Sequence, residues 1–313
     1  MPTRADATSP EYCPCDVVPL AQVLAGEETF VDSPYGMVRC FRSGGGTGGG
    51  TVFMHGVHDD MDTWSPLIRA TVDRGIDLGP ALFVDLPGFG RSENRRGRLD
   101  LSDLGDAVLE VGRRLLGDSP HRLVGHSMGT LVAADLAVRH PARVRSLHLA
   151  SGPYYSIVDT MNGRLSGGVP AAFAGAIFGS QYLLALAGRP GVAGLQVAAR
   201  LGVLRPFLAP FVAHPLELRQ SAIDHVLHGM RPAAFRSAAR NGFRYRDGMS
   251  WSKITCPVHA AFGSADRLVP RRDAARLGRD VPQAVVRVLD DAAHLIHIEQ
   301  PGATLDALGL DLA

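Results

Sequence analysis

At 313 residues, with 46% apolar and 20% charged residues, the chain can bury a large core and has ordinary globular composition. A net charge of +1 gives no electrostatic basis for a polyanionic partner, so no nucleic-acid binding is expected. Four cysteines (Cys13, Cys15, Cys40 and Cys256) are too few and scattered for a disulfide framework, and MPTRADATSPEY lacks the apolar core of a secretory signal, which predicts free thiols and a cytoplasmic, soluble protein.

Residues 1–27 read as an irregular leader with one short helix around Leu20–Leu24. Cys13-Pro14-Cys15 could be half of a metal site, but no Cys/His pair stands at a suitable spacing to complete it, so no metal is expected. ETFVDSPYGMVRCFRSGG alternates as two strands about a Pro34-Tyr35-Gly36 turn. GGGTGGG (44–50) reads as a flexible connector, without the spacing and lysine of a phosphate loop. From Thr51 onward, Thr51–Met54, Ala81–Val84, Leu123–Val124 and Val144–Leu149 read as buried parallel strands with helices between them, and the pattern resumes at Val258–Phe262 and Val285–Leu289. Residues 153–250 hold no convincing strand and read as helices broken at GRPG, RP and HP. The predicted architecture is an α/β core in two parts, 1–152 and 251–313, with an inserted helical cap at 153–250. The most lipid-like stretch, 171–188, is too short to span a bilayer and carries Ser180 and Gln181, so no membrane association is expected.

The chemistry starts at RLVGHSMGTLVAADLAVRHP (122–141). Here an apolar strand runs into a helix predicted over Thr130–His140, with Leu131, Val132, Leu136 and Ala137 on one side. Ser127 sits on the connection, between Gly125 and Gly129, whose missing side chains leave room for a sharp turn. This is the pattern of a nucleophile elbow.

A serine hydroxyl needs a base, and a histidine base needs a carboxylate to orient it. In a parallel sheet the loops after the strands open on one edge, so candidates are sought only there. Asp266 is the first carboxylate after Val258–Phe262, and His294 lies on the loop after Val285–Leu289. His297 is the second choice of base, expected inside the final helix, and Asp290 or Asp291 could stand in for Asp266. An oxyanion needs two backbone N–H donors. Met128, heading the helix after Ser127, and Val57, after Gly56 on the Thr51–Met54 loop, are the candidates.

HGVHDDMDTW (55–64), DLPGFGRS (85–92), GHSMG (125–129), FGSADRLVP (262–270) and DAAHLIHIEQP (291–301) together resemble the α/β-hydrolase superfamily, most closely its lidded esterase and C–C-bond hydrolase branch. The resemblance covers 28–152 and 251–313 and implies the α/β-hydrolase fold. It also implies Ser127 as nucleophile, His294 as base, Asp266 as acid, and Val57 and Met128 as oxyanion donors. A serine at the elbow argues against haloalkane dehalogenases and epoxide hydrolases, which carry aspartate there.

Other residues have more ordinary readings. His55 and His126 flank the site and are expected to shape backbone, with His58 and His126 kept as substrate contacts. Asp85 is expected to brace the PGFG turn. Arg91, Arg95, Arg96 and Arg98 read as a solvated face, with docking of an acidic carrier protein as a weaker alternative. No dinucleotide fingerprint or metal-ligand spacing is present, so no cofactor is implied.

The expected function is a cofactor-free serine hydrolase of an ester, thioester or related carbonyl compound carrying a largely apolar group. The alternatives are an acyltransferase, lyase or cyclase using the same triad, and a ligand receptor built on the fold. The apolar runs of 171–213 cover more than one helix face, which calls for an apolar small-molecule substrate, another helix or a second copy in a homodimer.

Overall fold

The computed structural model describes residues 12–161, 190–237 and 250–311, with scattered positions between 179 and 188. The short apolar runs form one sheet of eight strands: β1 (Glu27–Ser33), β2 (Gly36–Ser43), β3 (Thr51–Met54), β4 (Ala81–Val84), β5 (His121–His126), β6 (Val144–Ala150), β7 (Val258–Gly263) and β8 (Ala284–Leu289). Their order is 1-2-4-3-5-6-7-8. From β4 across to β8 every pairing is parallel, and β2 alone runs against the others. The expected hairpin is the β1–β2 pair, turning through Pro34 and Tyr35, with Ser33 opposite Gly36.

Side chains leave a strand alternately to its two faces. Val52 and Met54 of β3 therefore join one apolar cluster, with Leu82, Leu123, Leu147 and Phe262, under the helices α2 (Leu101–Leu116) and α3 (Met128–Arg139). Phe53 joins the opposite cluster, with Phe83, Val124 and Ala261, against α1 (Ser65–Asp73) and the helix Pro301–Ala307. Both faces of the central strands are covered, which is why these strands carry continuous apolar runs. Asp100 and Asp103 start α2 with a reciprocal capping box, their carboxylates each accepting the other's backbone N–H at 2.9 Å.

The reading of Val285–Leu289 as a buried strand needs correction. It is parallel, as expected, but lies at the sheet edge, with Val285 and Val288 40% and 41% exposed. An apolar run does not distinguish a central strand from an edge strand with one uncovered face.

Between β6 and β7 the described residues contain no strand. They include the helix Ser156–Met161, helical residues 190–200, a 3-10 turn at Arg205–Leu208 and the helix Gln220–Gly229. Most of the lipid-like stretch 171–188 lies outside the described residues. No helix among the described residues is long and apolar enough to cross a membrane. Leu183, Leu186, Val197, Leu201, Val203, Phe207 and Leu216 are exposed, so among the described residues much of the large exposed apolar surface falls in this segment.

Of the leader, the described residues from Tyr12 onward are irregular apart from a 3-10 turn at Leu20–Gln22, and they work as a strap. Tyr12 Oη donates to the His214 carbonyl at 3.2 Å, and the Val17 amide donates to Ser221 Oγ at 3.2 Å. Ser221 Oγ donates in turn to Asp16 at 2.7 Å. The Cys13 amide reaches the Glu299 carbonyl at 3.1 Å, and the Leu20 amide reaches Asp62 at 2.8 Å. The inter-strand segment and the core helices are thereby stitched together. The glycine connector is also tied, by Gly49 N–H to the Leu116 carbonyl at 3.1 Å. All four cysteines are free thiols.

His148 of β6 is buried, and its Nδ1 donates to the Leu308 carbonyl while Nε2 takes the Ser146 hydroxyl at 2.9 Å. Burial lowers its pKa to about 3, with the carbonyl bond opposing that shift. The unfolded chain therefore binds this proton from about pH 6.5 downward while the folded chain does not. Stability should fall as pH drops from about 6.5 toward 3. In thermal melts at stepped pH, His148→Gln should lose part of that slope, and an unchanged slope would contradict the assignment.

Candidate active site

The site is built on the elbow. Ser127 follows β5 directly and precedes the first residue of α3, with φ 49° and ψ −116°, a conformation that side chains disfavour. The turn is tight because three chains crowd together there. A Cβ on Gly129 would lie 2.3 Å from the Met54 carbonyl oxygen, and one on Gly125 would lie 2.5 Å from the Gly129 carbonyl oxygen. Ser127 N–H donates to the Ala150 carbonyl at 3.0 Å, and Thr130 Oγ1 donates to the Ser127 carbonyl at 2.6 Å. The side chain is thus held at the C-terminal edge of the sheet.

Two other strand-end loops meet it there. His294 Nε2 lies 3.0 Å from Ser127 Oγ, and His294 Nδ1 lies 2.9 Å from Asp266 Oδ2. Asp266 Oδ1 accepts the backbone N–H groups of Leu268 and Val269 at 2.8 and 2.9 Å, which fixes the carboxylate. The three residues are 8%, 6% and 7% exposed, so the line of hydrogen bonds is shielded from solvent. With Nδ1–H directed at Asp266, His294 Nε2 is free to accept the serine proton, which is the arrangement that can activate a hydroxyl.

Met128 heads α3, where amides have no intrahelical acceptor. Gly56 precedes Val57 and packs so closely that a Cβ on it would lie 3.1 Å from Ser127 Cβ. Val57 is part-buried against the main core. His126 supports backbone: its Nε2 donates to the His294 carbonyl at 3.0 Å. Burial, then the neighbouring His297 and His294, keep its pKa well below the usual value. His58 stacks on Phe235 with ring centres 4.5 Å apart, and burial lowers its pKa to about 4. His297 is fully buried, with Nε2 2.9 Å from Thr63 Oγ1. It makes no hydrogen bond to Ser127 among the described residues.

The remaining carboxylates have other partners. Asp291 pairs with His214 at 2.6 Å, and exposed Asp290 with Arg271 at 3.5 Å. Asp85 braces the PGFG turn by accepting the Arg91 and Met61 amides at 2.8 and 2.9 Å. Arg91, Arg95 and Arg96 each pair with a carboxylate of this chain: Glu28, Asp32 and Asp103.

The sequence reading missed what holds the histidine loop. His294 N–H donates to the Phe211 carbonyl at 3.0 Å, so part of the inter-strand segment lies against it. Buried Glu299 accepts the Ala213 and Ala293 amides at 2.7 and 3.1 Å. Burial raises the Glu299 pKa to about 8 despite those bonds. Asp59 is also buried and pairs with His225 at 2.6 Å. Burial opposes the charge on His225, but the bond to Asp59 and the charges of Asp59, Asp60 and Asp62 together outweigh it and raise its pKa to about 9. Glu299 five residues beyond His294 is visible in DAAHLIHIEQP, whereas nothing in the sequence ties Phe211 or His225 to the site.

Comparison with known proteins agrees with the fold. The family profile described as alpha/beta hydrolase fold matches residues 52–301. The chain belongs to that family. It is 27% identical over 273 residues to a dihydrolipoyllysine-residue acetyltransferase component of the acetoin cleaving system from Pseudomonas putida, covering 84% of this chain and 63% of that protein. The chain thus spans less than two thirds of that relative. It is 28% identical over 264 residues to a pimeloyl-[acyl-carrier protein] methyl ester esterase from Pectobacterium atrosepticum, covering 80% and 89%. Among solved structures, an enol-lactonase from Burkholderia xenovorans LB400 superposes with a TM-score of 0.66 at 18% identity, over 90% of this chain and 99% of that one.

The crowding at the elbow has a measurable consequence. Gly129→Ala forces a methyl group onto the Met54 and His55 carbonyls, 2.3 and 2.8 Å away, and backbone cannot step aside as a flexible side chain can. A loss of about 2–3 kcal/mol or more is expected in urea unfolding, where a wild-type midpoint would count against this packing.

Proposed function

We propose that the protein is a serine hydrolase of carboxylic esters, with Ser127 as nucleophile, His294 as general base and acid, and Asp266 as the group that orients His294. The observation that carries this reading is the hydrogen-bonded line from Ser127 Oγ through His294 to Asp266, set on a strained strand-to-helix turn. In the proposed reaction Ser127 Oγ attacks the ester carbonyl while His294 Nε2 takes its proton. The tetrahedral oxyanion is held by the N–H groups of Val57 and Met128, at the positive end of α3. His294 returns the proton to the departing alkoxide, which leaves an acyl-serine. Water, deprotonated by the same histidine, then releases the acid. None of these steps requires a redox or electrophilic cofactor.

Support for an ester comes from relatives named as pimeloyl-[acyl-carrier protein] methyl ester esterases, from Pectobacterium atrosepticum and Citrobacter koseri. Support for an apolar acyl group comes from the surroundings of the elbow. Met128, Leu268 and Val269 are buried in the main apolar cluster, with Val57 and Phe211 packed on it. In this reading the segment between β6 and β7 is the cap, and its Phe211–His214 stretch lies over the histidine loop. Acyl transfer to a thiol or alcohol is the second reading, favoured by the acetyltransferase-component relatives. Product analysis with and without a thiol acceptor separates the two.

Ser127→Ala should lower turnover of a p-nitrophenyl ester by roughly 10³-fold or more without changing the melting curve. A fluorophosphonate should modify Ser127 in the wild type, as read by peptide mass spectrometry. Modification elsewhere, or turnover that survives the substitution, would refute the assignment.

The apolar surroundings predict that kcat/KM rises severalfold per added methylene from acetate upward, since each buried CH₂ contributes about 0.8 kcal/mol, until the pocket is filled. Preference for acetate, or indifference to chain length, would remove the apolar-substrate part of the proposal.

A further inference from the structure

Three residues far apart in the sequence meet beside the elbow. Asp59 lies on the loop after β3, His126 ends β5, and His297 lies in the short helix Ile296–Glu299. One ligand-capable atom of each lies within 4.8 Å of those of the other two, and all three residues are buried. The rings of His126 and His297 are 4.3 Å apart, centre to centre, and inclined by 50°. A Cβ on Gly56 would lie 3.0 Å from His126 Nδ1, so the cluster adjoins the Val57 loop.

The hydrogen bonds decide where a lone pair points. His126 Nε2 faces the His294 carbonyl, which can only accept, so Nε2 carries the proton and neutral His126 has its lone pair on Nδ1. His297 uses its Nε2 on Thr63 Oγ1. Neither Nδ1 has a hydrogen-bond partner among the described residues, although His126 and His297 are only 2% and 0% exposed. Buried polar atoms are normally satisfied, so an unpartnered nitrogen on each of two histidines that cluster with a buried carboxylate calls for a ligand. Asp59 is already oriented, its Oδ1 accepting His225 Nε2 at 2.6 Å and the Asp60 amide at 3.0 Å.

We propose that Asp59, His126 and His297 bind a first-row divalent transition-metal ion. Two imidazole nitrogens and one carboxylate form a donor set that suits Zn²⁺ and Co²⁺, with water completing the coordination. Ligands at about 2.1 Å in tetrahedral geometry stand about 3.4 Å apart, so shifts of roughly 1 Å close the site. His225 holds the ligating carboxylate from behind, and the His294 carbonyl holds the far nitrogen of His126, which are the outer bonds that orient metal ligands. Coordination at His126 Nδ1 makes its Nε2–H a stronger donor to His294. The ion is thus a positioning element for the histidine loop, outside the ester chemistry itself.

The test uses the full chain, stripped with a chelator, dialysed and incubated for hours with Zn²⁺ because the site is buried. After desalting, metal is counted by atomic spectroscopy. The expected result is one ion per chain and a raised Tm, with Co²⁺ giving the visible absorption of a low-coordinate site. His297→Gln and Asp59→Asn should each weaken binding 10-fold or more, while His228→Gln, at an exposed histidine, keeps one ion. Should one cluster variant fail to fold, the other decides. Anomalous diffraction from Zn²⁺-soaked wild-type crystals reads the site without any substitution. Substoichiometric retention by the wild type, full retention by the folded cluster variants, or an anomalous peak elsewhere would overturn the proposal.

Discussion

The main chain reverses at Ser127, and the geometry of the candidate site depends on keeping that residue in a conformation costing on the order of 1–3 kcal/mol. The turn persists because its surroundings leave it no alternative. β5 lies between β3 and β6 in a parallel sheet, so Gly125 stands level with Met54 and His126 with Ala150. The Ser127 amide completes that ladder on Ala150, and α3 starts at once, with its first turn closed on the Ser127 carbonyl. Relaxing φ would break these bonds and push α3 away from β3.

The histidine side is held differently. The loop carrying His294 takes its fixed points from outside itself: Phe211 on its amide, His126 on its carbonyl, and Glu299 on the amide of Ala293. Two of those supports come from the sheet and the C-terminal helices, and one from the segment between β6 and β7. The serine therefore rests on sheet packing, while the histidine rests partly on the seating of that segment. A change in the seating would move His294 and leave Ser127 in place.

What could be read in the sequence follows from locality. Strands such as Thr51–Met54 and Ala81–Val84 advertise themselves because both their faces are buried, and the loops after them carry His55, Asp85, Ser127, Asp266 and His294. Sheet topology then does the convergence: strand-end position pointed to Asp266 and His294, and these are the side chains that lie in line with Ser127. The β8 run misled because an edge strand and a central strand share composition. Asp59 and His225, the Phe211 carbonyl and the cluster of Asp59, His126 and His297 were not legible. Each depends on which distant segments pack together, and no periodicity records that.

The strap formed by residues 12–20 has a consequence for how the molecule is made. Its partners His214 and Ser221 lie 202 and 204 positions downstream, and the Glu299 carbonyl lies further still. On a ribosome the strap emerges well ahead of these partners and cannot dock until they have followed it out. Such non-local closure belongs to the slow end of folding, after the sheet has condensed. The stretch around His214 and Ser221 would remain unstitched during that interval, with the exposed apolar side chains of Val203, Phe207 and Leu216 beside it open to aggregation.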